Sequence, residues 1–502
     1  MRLLPLIAAS FLFLSAGLPY ATFEKGVKSI GFNPGTEELA VEVIDNFRKD
    51  AVNPTGRCLQ VVTVESGNFI WGPYGRTMDF TLNPPVFTMK VMAPAAGMKV
   101  TFKLEPSSLK GPVKPVWLVC TSTKAGEWED MTFDFSSMNL PSNKYRKINI
   151  GFQKSEDCAP DWYIDEIYGP DDDLSSISLF KRWEGNPVFG AEGKREDGWR
   201  TVSIANAGVM APEESPDGRW RLYVRGSGKY SQSIGLFWQD AGSFKPFGPW
   251  IEYPDNPVVM RGEKGEWDDQ RVLDTAPVVG PGGEVYVFYK GFNVSGDSRM
   301  GVAWSTDGGY HFNKTGRPWR KDAAGSTSVV YHGGRYYVFY GTKVYVTANP
   351  LDGENAEAFP TISLGGGPSN FDDKSLWGNM VWRIKGVDKW FMTYQGSSSH
   401  GDFPDRFHVA VSDDLLHWTK VDNPRPLFTR GAAGQWDQGA IWCPEVFEHE
   451  GMLYLYYEGW GTPGDVYDRN KVYFRPARSR LGGASCSVAD FLEWCGLSKD
   501  EL

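Results

Sequence analysis

The chain has 502 residues, too long for one ordinary core and comfortable for two domains. It carries 52 basic against 62 acidic residues, a net charge of −10 with no long basic run, which argues against nucleic acid or an anionic membrane as partner. With 20 Trp, 22 Tyr and 30 Phe among 57 Gly and 33 Pro, the composition argues against a mainly helical fold and predicts short strands joined by many turns. Aromatic-rich, mildly acidic surfaces suit neutral sugars, whose C–H faces stack on rings.

Met1 and Arg2 precede an apolar run over residues 3–14, then the small residues Ser15, Ala16 and Gly17, and Ala21. This charge, short apolar core and small-residue exit read as a secretory signal peptide over residues 1–21, cleaved between Gly17 and Ala21. A secreted or periplasmic location follows. The run is too short to span a membrane. Six cysteines stand at 58, 120, 158, 443, 486 and 495, with no zinc-type spacing among them. In a secreted chain some should be oxidised, and Cys486 with Cys495, which bracket a short helix-like segment, is the expected pair.

Residues 22–170 show period-two alternation. Phe87, Met89 and Val91 lead to a turn at 93–97 (APAAG), followed by KVTFKLE at 99–105, WEDMTFDF at 128–135, INIGF at 148–152 and WYIDEI at 162–167. Such spacing predicts a β-sandwich. The segments NPTG at 53–56, KLE at 103–105, AGEWEDMTFDF at 125–135 and the closing strand with Asp165 resemble a carbohydrate-binding-module jelly roll. Trp71, Tyr74 and Trp117 are candidate sugar platforms. The stretch PDDDLSS at 170–176 has no apolar periodicity, and residues 171–177 read as a linker.

Internal repeats organise the rest. Two strands joined by a Gly turn, the second aromatic and ending in Gly, recur five times: GRWRLYVRG at 218–226, GGEVYVFYKG at 282–291, GGRYYVFYG at 333–341, GVDKWFMTYQG at 386–396 and GMLYLYYEG at 451–459. A third strand follows several copies (IGLFW at 234–238, MGVAWS at 300–305, FHVAVS at 407–412). The last two enter Asp-turns in which Asp307 and Asp413 read as structural. NPVF at 186–189, NPVV at 256–259 and RPLF at 425–428 read as outer strands. The prediction is a five-bladed β-propeller over residues 178–480 with a tail at 481–502, in a chain that is all-β throughout.

Two blades open alike, with GEWD at 265–268 before Pro277 and GQWD at 434–437 before Pro444. With IWCPEV at 441–446 and LYLYY at 453–457, residues 180–480 resemble the five-bladed propeller glycosidases, namely glycoside hydrolase family 43 and the related arabinanases, invertases and mannoside phosphorylases. The resemblance implies glycoside cleavage of a poly- or oligosaccharide. It also allows a calcium ion at the hub, although no acidic run has an EF-hand-like spacing; no other cofactor is indicated.

Innermost strands of a propeller line its axis. Counting back from each repeat's final Gly places their starts near Asn206, Asp274, Ser326, Asn379 and the Pro444–Glu445 step. Glycoside hydrolysis needs one carboxylic acid to protonate the leaving oxygen and one carboxylate to activate water or attack carbon. Asp274 and Glu445 are the only acids at these starts, so they form the expected pair, with Glu445 as acid through burial beside Trp442 and Tyr456 and Asp274 as base or tuning residue. Family 43 normally shows three axial carboxylates, and Asn206 and Ser326 depart from that pattern. Asp268 and Asp437, each following Trp in a repeated motif, suit a repeated structural role. His400 and Asp402, in a Gly/Ser-rich loop, are candidate sugar contacts, as are Asn206, Asn379 and Trp442. Arg225, Lys290, Gln395 and Glu458 end the second strands, where substrate contacts form. The alternative is a non-catalytic secreted glycan-binding protein, favoured by the missing carboxylates and the appended sandwich. A lyase acting on uronates is argued against by the acidic balance. A sialidase is argued against by five rather than six repeats and the lack of an arginine triad.

Overall fold

The computed structural model describes residues 18–24, 32–35, 40–62, 68–73, 78–80, 83–106, 113–141, 144–153, 161–170, 174–190, 198–228, 231–325, 328–367, 371–373, 375–397, 404–432, 435–461 and 479–497. The chain divides into two compact units, residues 1–172 and 173–502.

The first unit is a sandwich of two antiparallel sheets. One runs in the order Ala40–Asp45, Arg57–Val62, Asp161–Gly169, Val86–Met92, Trp128–Asp134, and the other Asn33–Pro34, Asn68–Pro73, Tyr145–Phe152, Lys99–Pro106, Val116–Thr121. Alternation sends Ile70, Ile150, Phe102, Phe87, Met89 and Phe133 into one core between them. The opposite face of the second sheet carries a register row across four strands, Trp71, Asn149, Lys103 and Trp117. Leu18–Ala21 adds a strand beside Asp161–Gly169, with Tyr20 and Ala21 buried in the core. Residues 18–21, read from sequence as part of a leader, are therefore sandwich strand, because Tyr20 fills the space beside Gly169. Cleavage after Gly17 preserves this strand, and cleavage after Ala21 removes it.

The second unit contains five four-stranded antiparallel cores. Their innermost strands, Ser203–Met210, Arg271–Val279, Ser328–His332, Ser375–Arg383 and Ala440–His449, touch in sequence order, and the last returns to the first. A closed ring of five sheets around an axis is a five-bladed propeller, and closure disposes of exposed sheet edges.

In the fifth blade Arg480–Ser487 forms the third strand, and Lys181–Arg182, from the start of the unit, forms the outermost. Residues 481–487, expected in the tail, are thus part of the propeller. Their sequence hides the strand because Gly482 and Gly483 stand where a Cβ would strike Tyr457 and Phe247. A short helix, Val488–Trp494, follows, capped by Ser487 and seated on the last blades through Phe491 and Trp494. NPVF and NPVV lie at the outer edge as single bridges, Phe189 to Leu481 and Val259 to Ile234, rather than as full strands.

The expected Cys486–Cys495 disulfide is absent: both sulfurs are free thiols, packed in or against the core under the helix. Burial pushes both thiols well above the ordinary range and satisfies them as small apolar groups.

Candidate active site

Four of the five innermost strands slip register by one residue at the same place: between Ala205 and Ala207, Leu273 and Ala276, Trp377 and Met380, and Trp442 and Glu445. Each of these β-bulges holds a residue in the left-handed region, namely Asn206 (φ 49°), Asp274 (φ 56°), Gly378 (φ 63°) and Cys443 (φ 49°). A bulge re-aims a side chain at a strand end, and a non-glycine residue in such a conformation costs ~1–3 kcal/mol. Packing imposes this geometry repeatedly, so the fold delivers one turned residue from each of four blades to one mouth of the axis.

Facing the bulges are the second-strand residues that precede each repeat's Gly. Ala205 pairs with Arg225, Leu273 with Lys290, Trp377 with Gln395 and Trp442 with Glu458, while Tyr340 stands before Gly341 in the third blade. These residues join neighbouring blades. Asn206 Nδ2 donates to Glu458 Oε2 at 3.0 Å and contacts Cys443 Sγ at 2.8 Å. Arg225 Nη2 donates to Glu458 Oε1 at 3.0 Å, and Cys443 N donates to Gln395 Oε1 at 2.6 Å. Gly378 leaves room for Gln395, since a Cβ there would lie 2.6 Å from its Oε1.

Asp274 shares this mouth. Burial raises its pKa above the usual carboxylate range; Lys290 and Arg225 oppose the rise, and Glu458 adds to it. The backbone of Gly325 lies against its carboxylate, where a Cβ would come within 2.9 Å of Oδ2. Cys443 is held well above the ordinary thiol range by burial and by the charges of Asp274 and Glu458. The two carboxylates differ in their surroundings: burial raises the Asp274 pKa, and Glu458 is ion-paired with Arg225. Beside them Trp377 is 40% exposed, with the Tyr340 ring edge-on at 5.9 Å.

Glu445 does not face Asp274. Its Oε1 accepts from Val209 N at 2.6 Å, three residues beyond Asn206 on the first blade's innermost strand. At ~3.3 Å per residue that is about 10 Å further along the axis. The fifth blade's bulge is the reason: Cys443 takes the turned position that simple counting gave to the Pro444–Glu445 step. Glu445 is pushed well above its usual range by burial, with Glu214 adding to the rise. It lines a cavity of about 630 Å³ at the other end of the axis, among Val209, Val278, Val329, Val381 and Trp390. The acid, the ion-paired carboxylate, the cations and the open aromatic, by contrast, all gather at the Asp274 mouth.

Asn379 is fully buried and donates to Gly341 O at 2.7 Å, so it ties two blades together rather than lining the mouth. Trp442 is half-buried against Ala440 and Trp460, opposite Glu458. Asp268 accepts from Tyr289 Oη and Lys314 Nζ, and Asp437 from Tyr457 Oη and Arg182, each fixing an outermost strand to a second strand. Asp307 caps its turn by accepting from Tyr310 N and His311 N. In the fourth blade Asp414 fills that role, whereas Asp413 pairs with Lys389 on the surface. Tyr74, Ser326, His400 and Asp402 lie outside the described residues. Sequence reading missed Arg271, Tyr340, Trp377 and Cys443 as mouth residues; the Gly that ends each repeat was the signal that could have placed Tyr340. Among the described residues no three His, Cys, Asp or Glu side chains converge to hold a metal ion.

No family model matches the chain. Two uncharacterized proteins from strains of Mycobacterium tuberculosis are 23% identical over 286 residues, covering 52% of this chain and 90% of theirs. Among solved structures the chain is similar to an N-acetylgalactosamine deacetylase from F. plautii in complex with blood group B trisaccharide (15% identity, TM-score 0.47, 64% of this chain and 99% of that one). It is also similar to a glycosyl hydrolase from Bacteroides ovatus (15%, TM-score 0.43, 62% and 94%) and to the catalytic domain of a Coprinopsis cinerea GH62 α-L-arabinofuranosidase (13%, TM-score 0.41, 61% and 98%).

Proposed function

We propose that the protein is a secreted glycoside hydrolase that cleaves a poly- or oligosaccharide at the Asp274 mouth of the propeller. One observation carries this reading: an acid inclined by burial to keep its proton stands in the same charge cluster as an ion-paired carboxylate. Asp274 gives its proton to the glycosidic oxygen as the bond to the anomeric carbon breaks. Glu458, whose two oxygens each retain a lone pair beyond the bonds from Arg225 and Asn206, takes the proton of the attacking water. Trp377 offers a ring face to a sugar, and the sandwich row from Trp71 to Trp117, which is 57% exposed, offers a separate glycan-binding face.

The second reading, a non-catalytic glycan binder, draws on Asn206, Gly378 and Cys443: of the four described bulge positions, only Asp274 carries an acid. A polysaccharide panel separates the two. Release of reducing ends by the wild type, reduced ~10²–10⁴-fold in Asp274→Asn and retained in Glu445→Gln, supports hydrolysis by this pair. Retention of glycan without release supports the binder.

A further inference from the structure

Buried and half-buried cations of this propeller are generally matched by acids. Arg182 pairs with Asp437, Arg221 with Asp217, Arg225 with Glu458, Lys314 with Asp268 and Lys420 with Asp372. Two cations on the second blade, which also carries Asp274, are not. Arg271 and Lys290 make no ion pair among the described residues, and both lie over one ring: the Arg271 guanidinium carbon is 4.1 Å and Lys290 Nζ 5.2 Å from the centroid of Phe292. Arg271 opens the innermost strand three residues before Asp274, and Lys290 stands opposite Leu273. The buried Nε atoms of Arg271 and Arg225 have no hydrogen-bond partner among the described residues. Burial, with Arg225 nearby, makes the Arg271 charge costly to keep. When Asp274 holds its proton, Arg225, Arg271 and Lys290 have Glu458 as their one ion-pairing acid among the described residues. A neutral sugar leaves this imbalance standing, whereas an anionic group on the sugar removes it and supplies the missing acceptors.

We propose that the site takes a glycan whose sugar at the scissile bond bears an anionic substituent, a uronate carboxylate or a sulfate ester, gripped between Arg271 and Lys290. This rests on the Asp274 mouth being a glycan site. It departs from the neutral sugar that the overall composition suggests, because the net charge of the chain does not describe the local field at the axis.

The test is calorimetric binding to the full chain carrying Asp274→Asn, so that affinity is read without turnover. The probes are uronate-bearing and sulfated oligosaccharides, each beside the neutral oligosaccharide lacking only that group. Tighter binding of an acidic member is expected, and which one binds tells carboxylate from sulfate. Adding Arg271→Gln or Lys290→Gln should weaken acidic binding by roughly tenfold or more, as loss of a charge-assisted hydrogen bond does, and leave neutral binding alone. Rising salt should weaken acidic binding in the chain with both cations intact, a readout that needs neither cation replaced. Equal affinity for acidic and neutral members, acidic binding unaffected by either substitution, or displacement by inorganic phosphate with no discrimination between sugars would each overturn the proposal. Acidic binding with no release by the wild type would keep it and defeat the hydrolase reading. Hydrolysis confined to neutral glycans would do the reverse.

Discussion

Replacing Glu458 by glutamine tests the site at its most connected residue. The Glu458 and Arg225 side chains are 12% and 4% exposed, so their ion pair has little water to screen it. Breaking a buried pair from one side costs ~3–5 kcal/mol, mostly because the remaining charge is stranded. The amide oxygen can still accept from Asn206, which places Glu458→Gln near the lower end, about 3 kcal/mol. At ~2 °C per kcal/mol for a unit of this size, the melting temperature should fall by about 6 °C. The chemistry should change in a second, separable way. Glu458 raises the pKa of Asp274 and Arg225 lowers it, so losing the carboxylate and unmasking the guanidinium both move Asp274 downwards. If Asp274 is the general acid, the alkaline limb of the pH–rate profile shifts to lower pH, on top of a loss of ~10²–10⁴ in rate from the missing base. Calorimetric unfolding and a pH series of reducing-end release measure the two effects. A variant with wild-type melting and an unmoved alkaline limb would show that these three residues do not act together.

Three further outcomes follow from other residues. Asp165, fully buried in the sandwich, has its pKa raised to about 6 by burial, so the native state holds a proton that the unfolded chain has released. Its stabilising contribution is complete below the unfolded pKa near 3.8 and is lost as pH rises through about 6. That is a change of up to about 3 kcal/mol, visible as faster hydrogen exchange of Asp161–Gly169 at pH 7.5 than at pH 4.5 after correction for intrinsic rates, and a slope missing in Asp165→Asn. Gly378→Ala places a Cβ at positive φ and 2.6 Å from Gln395 Oε1; a loss of about 1–2 kcal/mol or more is expected in urea unfolding, and a neutral result would mean that the bulge relaxes freely. Alkylation of unreduced, denatured protein should label both Cys486 and Cys495, whereas one peptide linked through the two would restore the disulfide.

The five aromatic repeats made the propeller readable, because a strand ending in Gly at a fixed offset is a local pattern. The place of Asp274 on an innermost strand was readable for the same reason. Glu445 was misplaced because a one-residue bulge is a property of pairing between strands and leaves no mark on either strand alone: Trp442, Cys443, Pro444 and Glu445 read as plain alternation until Trp442 is found opposite Glu458 and Glu445 opposite Tyr456. The strand Arg480–Ser487 escaped notice because its glycines answer to bulky neighbours distant in sequence. Glu458 was legible only as a strand end. Its partner, Arg225, lies 233 residues away, and only ring closure brings them together.

That separation bears on how the protein is made. The fifth blade takes three strands from residues 440–487 and its outermost from Lys181–Arg182, so the early segment must wait, unpaired, while four blades' worth of chain is synthesised. Arg225 and Asn206 emerge with the first blade and Glu458 with the last. A nascent or C-terminally truncated propeller therefore has the cations without their carboxylate, and the proposed site is complete only once the seam closes.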